Sequence, residues 1–247
     1  MTDTDRPSRR PGPARGAATA WLAALAGKAA LMLTAGAALT VALVVTGVQP
    51  VLRLDQAVAQ RLHAAALQHP GLTHACRIVT DWVVDPWTMR LLLAAAVVWL
   101  WHRRRRLLAW WVACTSAVEW ALRTVLRWAI GRDRPAWERP VDSAAMPSGH
   151  AMTTAATCLL LLWLARINHL PAGLVRLGAV TAAVAVAAAC FTRVFLGVHW
   201  LTDTLAGTLL GAAVATGSAA TWYAARSGTP PAADDLCQGL PQRKATT

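Results

Sequence analysis

Long apolar segments recur along most of the chain, and they constrain its fold more than any other feature. An apolar segment of about 20 residues crosses a bilayer as a helix, because a helix satisfies its own backbone hydrogen bonds. Six segments follow this pattern, at about 20–48, 82–101, 107–128, 149–164, 174–191 and 200–224. We therefore predict an all-α fold, a polytopic membrane helix bundle with six transmembrane helices.

The second segment is the least regular of the six. Its cleanly apolar part, 91–101, is short for a span and follows Arg90, so an interfacial helix is the alternative there. Residues 49–81 mix apolar with charged and amide side chains, which predicts an amphipathic helix near the membrane surface.

The two ends of the chain have a different composition. Residues 1–18 are rich in Pro, Arg, Gly and Ala, and residues 226–247 are polar with several prolines and glycines. Neither end has enough apolar residues to bury a core. We predict a disordered basic cytoplasmic tail at 1–18, a membrane-embedded domain at 19–225 and a disordered cytoplasmic tail at 226–247.

The net charge is +12, which in a soluble protein would favour a nucleic-acid partner. Here the basic residues cluster at the ends of apolar segments, as the positive-inside rule requires, so we predict no nucleic-acid partner. With six spans the clusters around residues 6–15, 103–106, 166–176 and 226–244 all lie on one side. This predicts a multi-pass protein of the plasma (inner) membrane with both termini in the cytoplasm.

Three short motifs carry the candidate chemistry, and the six-span arrangement places all of them at the outer face. The first is Arg127-x6-Arg134-Pro135, where Gly131 and Pro135 predict that the helix ends and the chain curls back. Arginine forks bind phosphate oxygens in pairs of hydrogen bonds. Arginines at a membrane boundary are also common anchors, and that alternative stays open for this motif alone.

A neighbouring charge pattern precedes this motif. Glu119, Arg123 and Arg127 are spaced four residues apart and share one helix face. Charges within a span usually face the bundle interior. We favour an ion pair between Glu119 and Arg123 that only supports Arg127.

The second motif is Pro147-Ser148-Gly149-His150, at the start of a span. Ser148 can cap the helix and donate to an anion, and Gly149 allows close approach of a ligand to the backbone. Free N–H groups at a helix start attract phosphate, and His150 would lie beside it. A simple capping turn is the alternative.

The third motif is Arg193-x5-His199-x3-Asp203. Asp203 is four residues after His199, so on a helix it can accept the Nδ1 proton. The Nε2 lone pair would then be free to act as a nucleophile. A structural His–Asp pair is the alternative for this segment alone.

Together the three motifs resemble the signature of the type-2 phosphatidic acid phosphatase superfamily, in its bacterial integral-membrane type; vanadium haloperoxidases share that signature. The family pattern is Lys-x6-Arg-Pro, Pro-Ser-Gly-His and Ser-Arg-x5-His-x3-Asp, and all three spacings match in the same order. Arg127 replaces the lysine and keeps the charge, and Thr192 replaces the serine and keeps a hydroxyl.

The resemblance implies a role for each motif residue. His199 would form a phosphohistidine, Asp203 would orient it, and His150 would protonate the leaving oxygen and then activate water. The phosphoryl oxygens would be held by Arg127, Arg134, Ser148, Gly149 and Arg193. No metal or other cofactor is expected, since the arginines supply the positive charge. Three acidic residues of the same loop could be metal ligands, but their irregular spacing favours solvated charges: Asp133, Glu138 and Asp142.

The function predicted from the sequence is hydrolysis of a lipid phosphate or diphosphate. Candidate substrates are polyprenyl diphosphate (such as undecaprenyl diphosphate), phosphatidic acid and phosphatidylglycerol phosphate. Arg132 and Arg139 add positive charge near the motifs and favour the diphosphate. The alternatives are an anion- or lipid-binding or transport protein without turnover, and a vanadate-dependent peroxidase. Lipids are the only expected partners, and the sequence predicts no oligomeric state.

Overall fold

The computed structural model describes residues 13–135, 137 and 144–227, and this part of the chain is almost entirely helical, without strands. The helices are α1 (Pro13–Val45), α2 (Gln49–Gln68), α3 (Pro70–Ile78), α4 (Pro86–His102), α5 (Arg106–Ile130), α6 (Gly149–Ile167), α7 (Ala172–Phe195) and α8 (Leu201–Ser227). A π-helical turn, Val79–Val83, follows α3. The predicted all-α fold is confirmed.

Each predicted span corresponds to one long helix: α1, α4, α5, α6, α7 or α8. Five helical stretches are long and apolar enough to cross a membrane: Ala17–Val45, Pro70–His102, Gly149–Ile167, Ala172–Phe195 and Leu201–Ser227. Helix α5 is not among them because Glu119, Arg123 and Arg127 interrupt its apolar sequence. The polytopic bundle is therefore supported, whereas the count of six spans stays a prediction.

The region predicted as one surface segment, 49–81, is divided in the structure. Helix α2 has an amphipathic pattern and packs against α7 and α8 through one face. Helix α3 instead leads through the π turn towards α4, and the stretch from Pro70 to His102 is apolar enough to be a single span. Both segments bury one face against the bundle, with Cys76 and Thr80 buried as Ala59 and Ala66 are, and the surface location of 49–81 stays a prediction.

Helix α6 lies at the centre of the bundle, and its closest neighbour is α8. Gly207 and Gly211 of α8 face α6, and a Cβ at Gly207 would lie only 2.6 Å from the carbonyl oxygen of Ser148. Small residues at such contacts let two helix backbones approach closely. The close approach allows the Ser148 N–H to donate to the backbone oxygen of Asp203, at 3.0 Å. The packing of α6 on α8 therefore brings the second motif against the third.

Two chain reversals bring the motifs to one end of the bundle. Gly131 adopts a left-handed conformation, with φ of 60°, and ends α5, which confirms the predicted break. Gly197, with φ of 74°, similarly follows α7 and directs the chain towards α8. Of the tails predicted at 1–18 and 226–247, residues 13–18 belong to α1 and residues 226–227 to α8. The rest of both tails, and the loop positions Glu138, Arg139 and Asp142, lie outside the described residues.

Candidate active site

The pair formed by His199 and Asp203 lies at the centre of the site. His199 is in the connection between α7 and α8 and is 1% exposed, and Asp203 is in the first turn of α8 and is fully buried. The imidazole Nδ1 lies 3.4 Å from Asp203 Oδ2, which also accepts from the Trp200 N–H at 2.9 Å. The contact expected from the i, i+4 spacing is present.

Arg134 lies on the other side of the His199 ring. Its Nη1 is 3.4 Å from Nε2 and donates to the Val198 carbonyl at 2.8 Å. A guanidinium has no acceptor, so it can donate only to an Nε2 that carries no proton. The contact is therefore a hydrogen bond only in the Nδ1–H tautomer, in which Nδ1 donates to Asp203 and the Nε2 lone pair faces Arg134.

The surroundings of His199 also favour its neutral form. Burial lowers the pKa of the imidazole well below its ordinary value, and the charges of Arg193 and Arg134 lower it further. A neutral imidazole with a free Nε2 lone pair is the form that can attack phosphorus.

His150 is in the first turn of α6, and its ring hydrogen-bonds to the backbone of Thr80. Its Nε2 lies 3.9 Å from Oδ1 of Asp85. Asp85 caps α4, because its other carboxylate oxygen accepts from the Trp87 and Thr88 N–H groups at 2.7 and 3.3 Å. The motifs do not include Asp85, although the sequence Asp85-Pro86 is typical of a helix start. Its carboxylate can stabilise a protonated His150.

Ser148 and Gly149 form the turn that begins α6. Ser148 is the N-cap residue of α6, but its side chain makes no capping hydrogen bond. Its Oγ is buried and has no hydrogen-bond partner among the described residues. A Cβ at Gly149 would lie 2.5 Å from Arg123 Nη1 and 3.3 Å from Arg127 Nη2. The glycine therefore allows two guanidinium groups to approach this turn.

The three arginines of the motifs converge on the same end of the bundle. Arg127 Nε donates to the Pro147 carbonyl at 3.0 Å, and Arg193 Nη1 lies 3.5 Å from Thr80 Oγ1. Arg134 and Arg193 line a cavity of about 350 Å³. This concentration of positive charge suits a phosphate-sized anion.

Arg132 has a different position from the one expected. Its Nη1 donates to Asp203 Oδ1 at 2.6 Å and to Thr202 Oγ1 at 2.7 Å, and its Nη2 donates to Asp55 Oδ2 at 2.7 Å. Asp55 also accepts from the Thr202 N–H at 3.0 Å. Because two carboxylates already hold Arg132, its predicted role as extra charge for a diphosphate is not supported. It instead connects α2 to the carboxylate beside His199.

The predicted ion pair between Glu119 and Arg123 is also replaced by other contacts. Glu119 is buried, pairs with Arg90 Nη2 at 3.7 Å and accepts from Thr153 Oγ1 at 3.0 Å. Arg123 instead extends towards Gly149. It is thus a further candidate for phosphate binding that the sequence pattern assigned to structural support.

The described ranges contain no group of three or more His, Cys, Asp or Glu side chains that could hold a metal ion. Asp133 is exposed, and its backbone oxygen accepts from Trp200 Nε1 at 2.9 Å. The geometry therefore brings together every residue that the motifs predicted: His199, Asp203, His150, Ser148, Gly149, Arg127, Arg134 and Arg193. Their individual roles stay predictions.

Comparison with known proteins agrees with the sequence motifs. The sequence profile described as "PAP2 superfamily" matches residues 108–227, which include all three motifs. The fold is similar to the crystal structure of a transmembrane PAP2-type phosphatidylglycerolphosphate phosphatase from Bacillus subtilis, with a TM-score of 0.68 and 20% identity. The match covers 82% of this chain and 98% of that one. No curated protein sequence matches the chain.

Proposed function

We propose that this chain, which belongs to the PAP2 superfamily and is a multi-pass membrane protein, hydrolyses a lipid phosphate or diphosphate through a phosphohistidine. One observation carries the proposal. A buried, neutral His199 has its Nε2 beside Arg134, at the same bundle end as His150, Ser148 and Arg193. Binding alone would require neither a nucleophile nor an acid.

The geometry supports a reaction in two steps. In the first, His199 Nε2 forms a bond to phosphorus, the bond from phosphorus to the ester oxygen breaks, and protonated His150 gives its proton to that oxygen. In the second, water attacks the phosphohistidine, the N–P bond breaks, and His150 takes the proton from water. The transferring group is largely stabilised by charge and position, which the arginines supply.

The substrate we propose is an amphiphile whose phosphate lies at headgroup depth. The motifs are at the ends of long apolar helices, so a lipid could reach them by lateral diffusion with its chains in the bilayer. The candidates remain polyprenyl diphosphate, phosphatidic acid and phosphatidylglycerol phosphate. We propose no metal requirement, because three motif arginines provide the positive charge.

Purified protein in detergent or nanodiscs tests the proposal by phosphate release from the three lipids and from a water-soluble sugar phosphate. We expect at least one lipid to have the highest kcat/KM. Labelled substrate should give an acid-labile phosphoenzyme in the wild type and none in His199→Ala. Lipid binding without turnover would favour the binding or transport alternative, and halide oxidation with vanadate would favour the peroxidase.

We also propose that the termini are cytoplasmic and that the site faces outwards. The support is the arginine-rich connection at Arg103–Arg106, at the opposite end from the motifs. In a cysteine-free background, an impermeant thiol reagent should label Pro140→Cys in whole cells and leave Arg104→Cys unlabelled until the cells are opened. The reverse pattern would invert the topology.

A further inference from the structure

The cavity beside the site is lined by residues from outside the three motifs. Besides Arg134 and Arg193, its wall includes Arg77, at the end of α3, and Thr80 and Asp81, in the π turn. The motif arginines already account for one phosphoryl group. Arg77 therefore adds a positive charge to the cavity beyond those of the motif arginines.

Thr80 places this end of α3 relative to the catalytic groups. Its hydroxyl lies 3.5 Å from Arg193 Nη1, and its backbone accepts from the His150 ring. Thr80 is also buried, so the turn is held firmly against the site. Arg77 precedes Thr80 by three residues, at the end of α3, and lines the same cavity as Thr80 and Arg193. The cavity thus brings Arg77 to the turn whose backbone accepts from the His150 ring.

Arg77 makes no hydrogen bond or ion pair with another side chain in the part of the chain that the structure describes, and this includes Asp81 at i+4. Arg77 is exposed and lines the cavity, so its charge is solvated and available to a bound anion. An arginine in this situation can bind an anionic group without first breaking an internal pair.

The direction of the reaction determines which part of the substrate would contact Arg77. His199 attacks from one side of the phosphorus, so the leaving oxygen lies on the opposite side, with His150 as its proton donor. Whatever is bonded to the leaving oxygen therefore lies beside His150 and Thr80. In a lipid diphosphate the group bonded to that oxygen is the second phosphate.

We propose that Arg77 forms a subsite for a second phosphate, and that the preferred substrate is a lipid diphosphate. This rests on the proposed function. His199 attacks the terminal phosphorus, the bond to the bridging oxygen breaks, and His150 protonates that oxygen. The products are the lipid monophosphate and, after water cleaves the phosphohistidine, inorganic phosphate. Arg77 binds the anionic oxygens of the phosphate that stays with the lipid.

Farnesyl diphosphate and farnesyl phosphate test this directly, because they differ only in the second phosphate. We expect the wild type to prefer the diphosphate. In Arg77→Gln, kcat/KM should fall about tenfold more for the diphosphate than for the monophosphate. A factor of this size is expected because the variant loses one charge-assisted hydrogen bond to the second phosphate. Methylenediphosphonate, which resists hydrolysis, should also inhibit Arg77→Gln about tenfold more weakly.

Arg61→Gln is the matched control, since Arg61 is an exposed arginine of α2 that does not line the cavity. Arg61→Gln should keep the wild-type ratio of kcat/KM for the diphosphate to kcat/KM for the monophosphate. Arg77→Lys should keep part of the preference for the diphosphate, since lysine keeps the charge. Equal losses for both substrates in Arg77→Gln, or an unchanged ratio, would refute the subsite and leave the phosphatase proposal intact. A wild type that hydrolyses neither compound nor any lipid phosphate would instead refute the proposed function.

Discussion

Arg132 joins two buried carboxylates, and replacing it with glutamine tests how the site is held in place. Its Nη1 lies 2.6 Å from Asp203 Oδ1 and its Nη2 lies 2.7 Å from Asp55 Oδ2. The carboxylate side chains are 0% and 1% exposed, and that of Arg132 is 13% exposed. Arg132→Gln therefore leaves two buried negative charges without the cation between them.

The size of the effect follows from this burial. Removing one partner of a buried ion pair costs about 3–5 kcal/mol, because the remaining charge stays desolvated. Since Arg132 is slightly exposed and water can reach the gap, we expect the lower value, about 3 kcal/mol, in the free energy of unfolding. Asp203 would also lose its fixed position beside His199 Nδ1. A similar increase in the activation barrier would lower kcat about 100-fold.

A double-mutant cycle separates this network from a general loss of stability. The variants are Arg132→Gln, Asp55→Asn and the two combined, measured by unfolding in detergent and by kcat. Asp55→Asn removes one of the two negative charges that Arg132→Gln leaves unpaired. The loss in the free energy of unfolding of the double variant should therefore be smaller than the sum of the two single losses, by about 1–3 kcal/mol.

The control for this cycle is Arg53→Gln, because Arg53 is an exposed arginine of α2 whose side chain donates to the nearby Gln49 carbonyl at 3.4 Å. It should change stability by less than about 0.5 kcal/mol. Purely additive effects in the cycle, or wild-type kcat in Arg132→Gln, would refute the role given to Arg132.

Four further outcomes are expected. His199→Ala should abolish turnover, and Asp203→Asn should lower kcat severely while the protein still folds. Turnover retained in His199→Ala would exclude His199 as the nucleophile. Gly149→Ala should lower kcat/KM at least tenfold, because the added Cβ would displace the Arg123 guanidinium. The control is Gly173→Ala at the start of α7, where a Cβ would lie in open space and should have little effect on activity. The pH profile of kcat/KM should be bell-shaped. Its acid limb should lie below about pH 6.5, since burial and nearby arginines lower the pKa of His199. A flat rate from about pH 5 to 9 would contradict a mechanism in which one histidine is neutral and the other protonated. Activity should survive EDTA and be blocked by vanadate, which can adopt the trigonal-bipyramidal geometry of phosphorus in the transition state. Loss of activity in EDTA with recovery in Mg²⁺ would show that the arginines alone do not supply the positive charge that catalysis needs.

Features that depend on local spacing were predictable from the sequence. The long apolar segments indicated membrane helices, since the length of a span is set by the bilayer. Gly131 predicted the end of α5, and the four-residue spacing of His199 and Asp203 predicted their contact. In each case the residues involved are within one helix or turn, so their separation along the chain determines their separation in space.

Contacts between distant segments were decided only by the tertiary structure. Arg132 is bound between Asp55 and Asp203, whereas Arg123 extends to Gly149. The sequence did not distinguish these two positions. Asp55 is 77 residues from Arg132, and its position depends on how α2 packs on α8. The periodicity of one helix does not encode its rotation or its register against another. Those are set by the close packing of the helices, such as that of α6 on the glycines of α8, and this packing determines which arginines reach the proposed phosphate site.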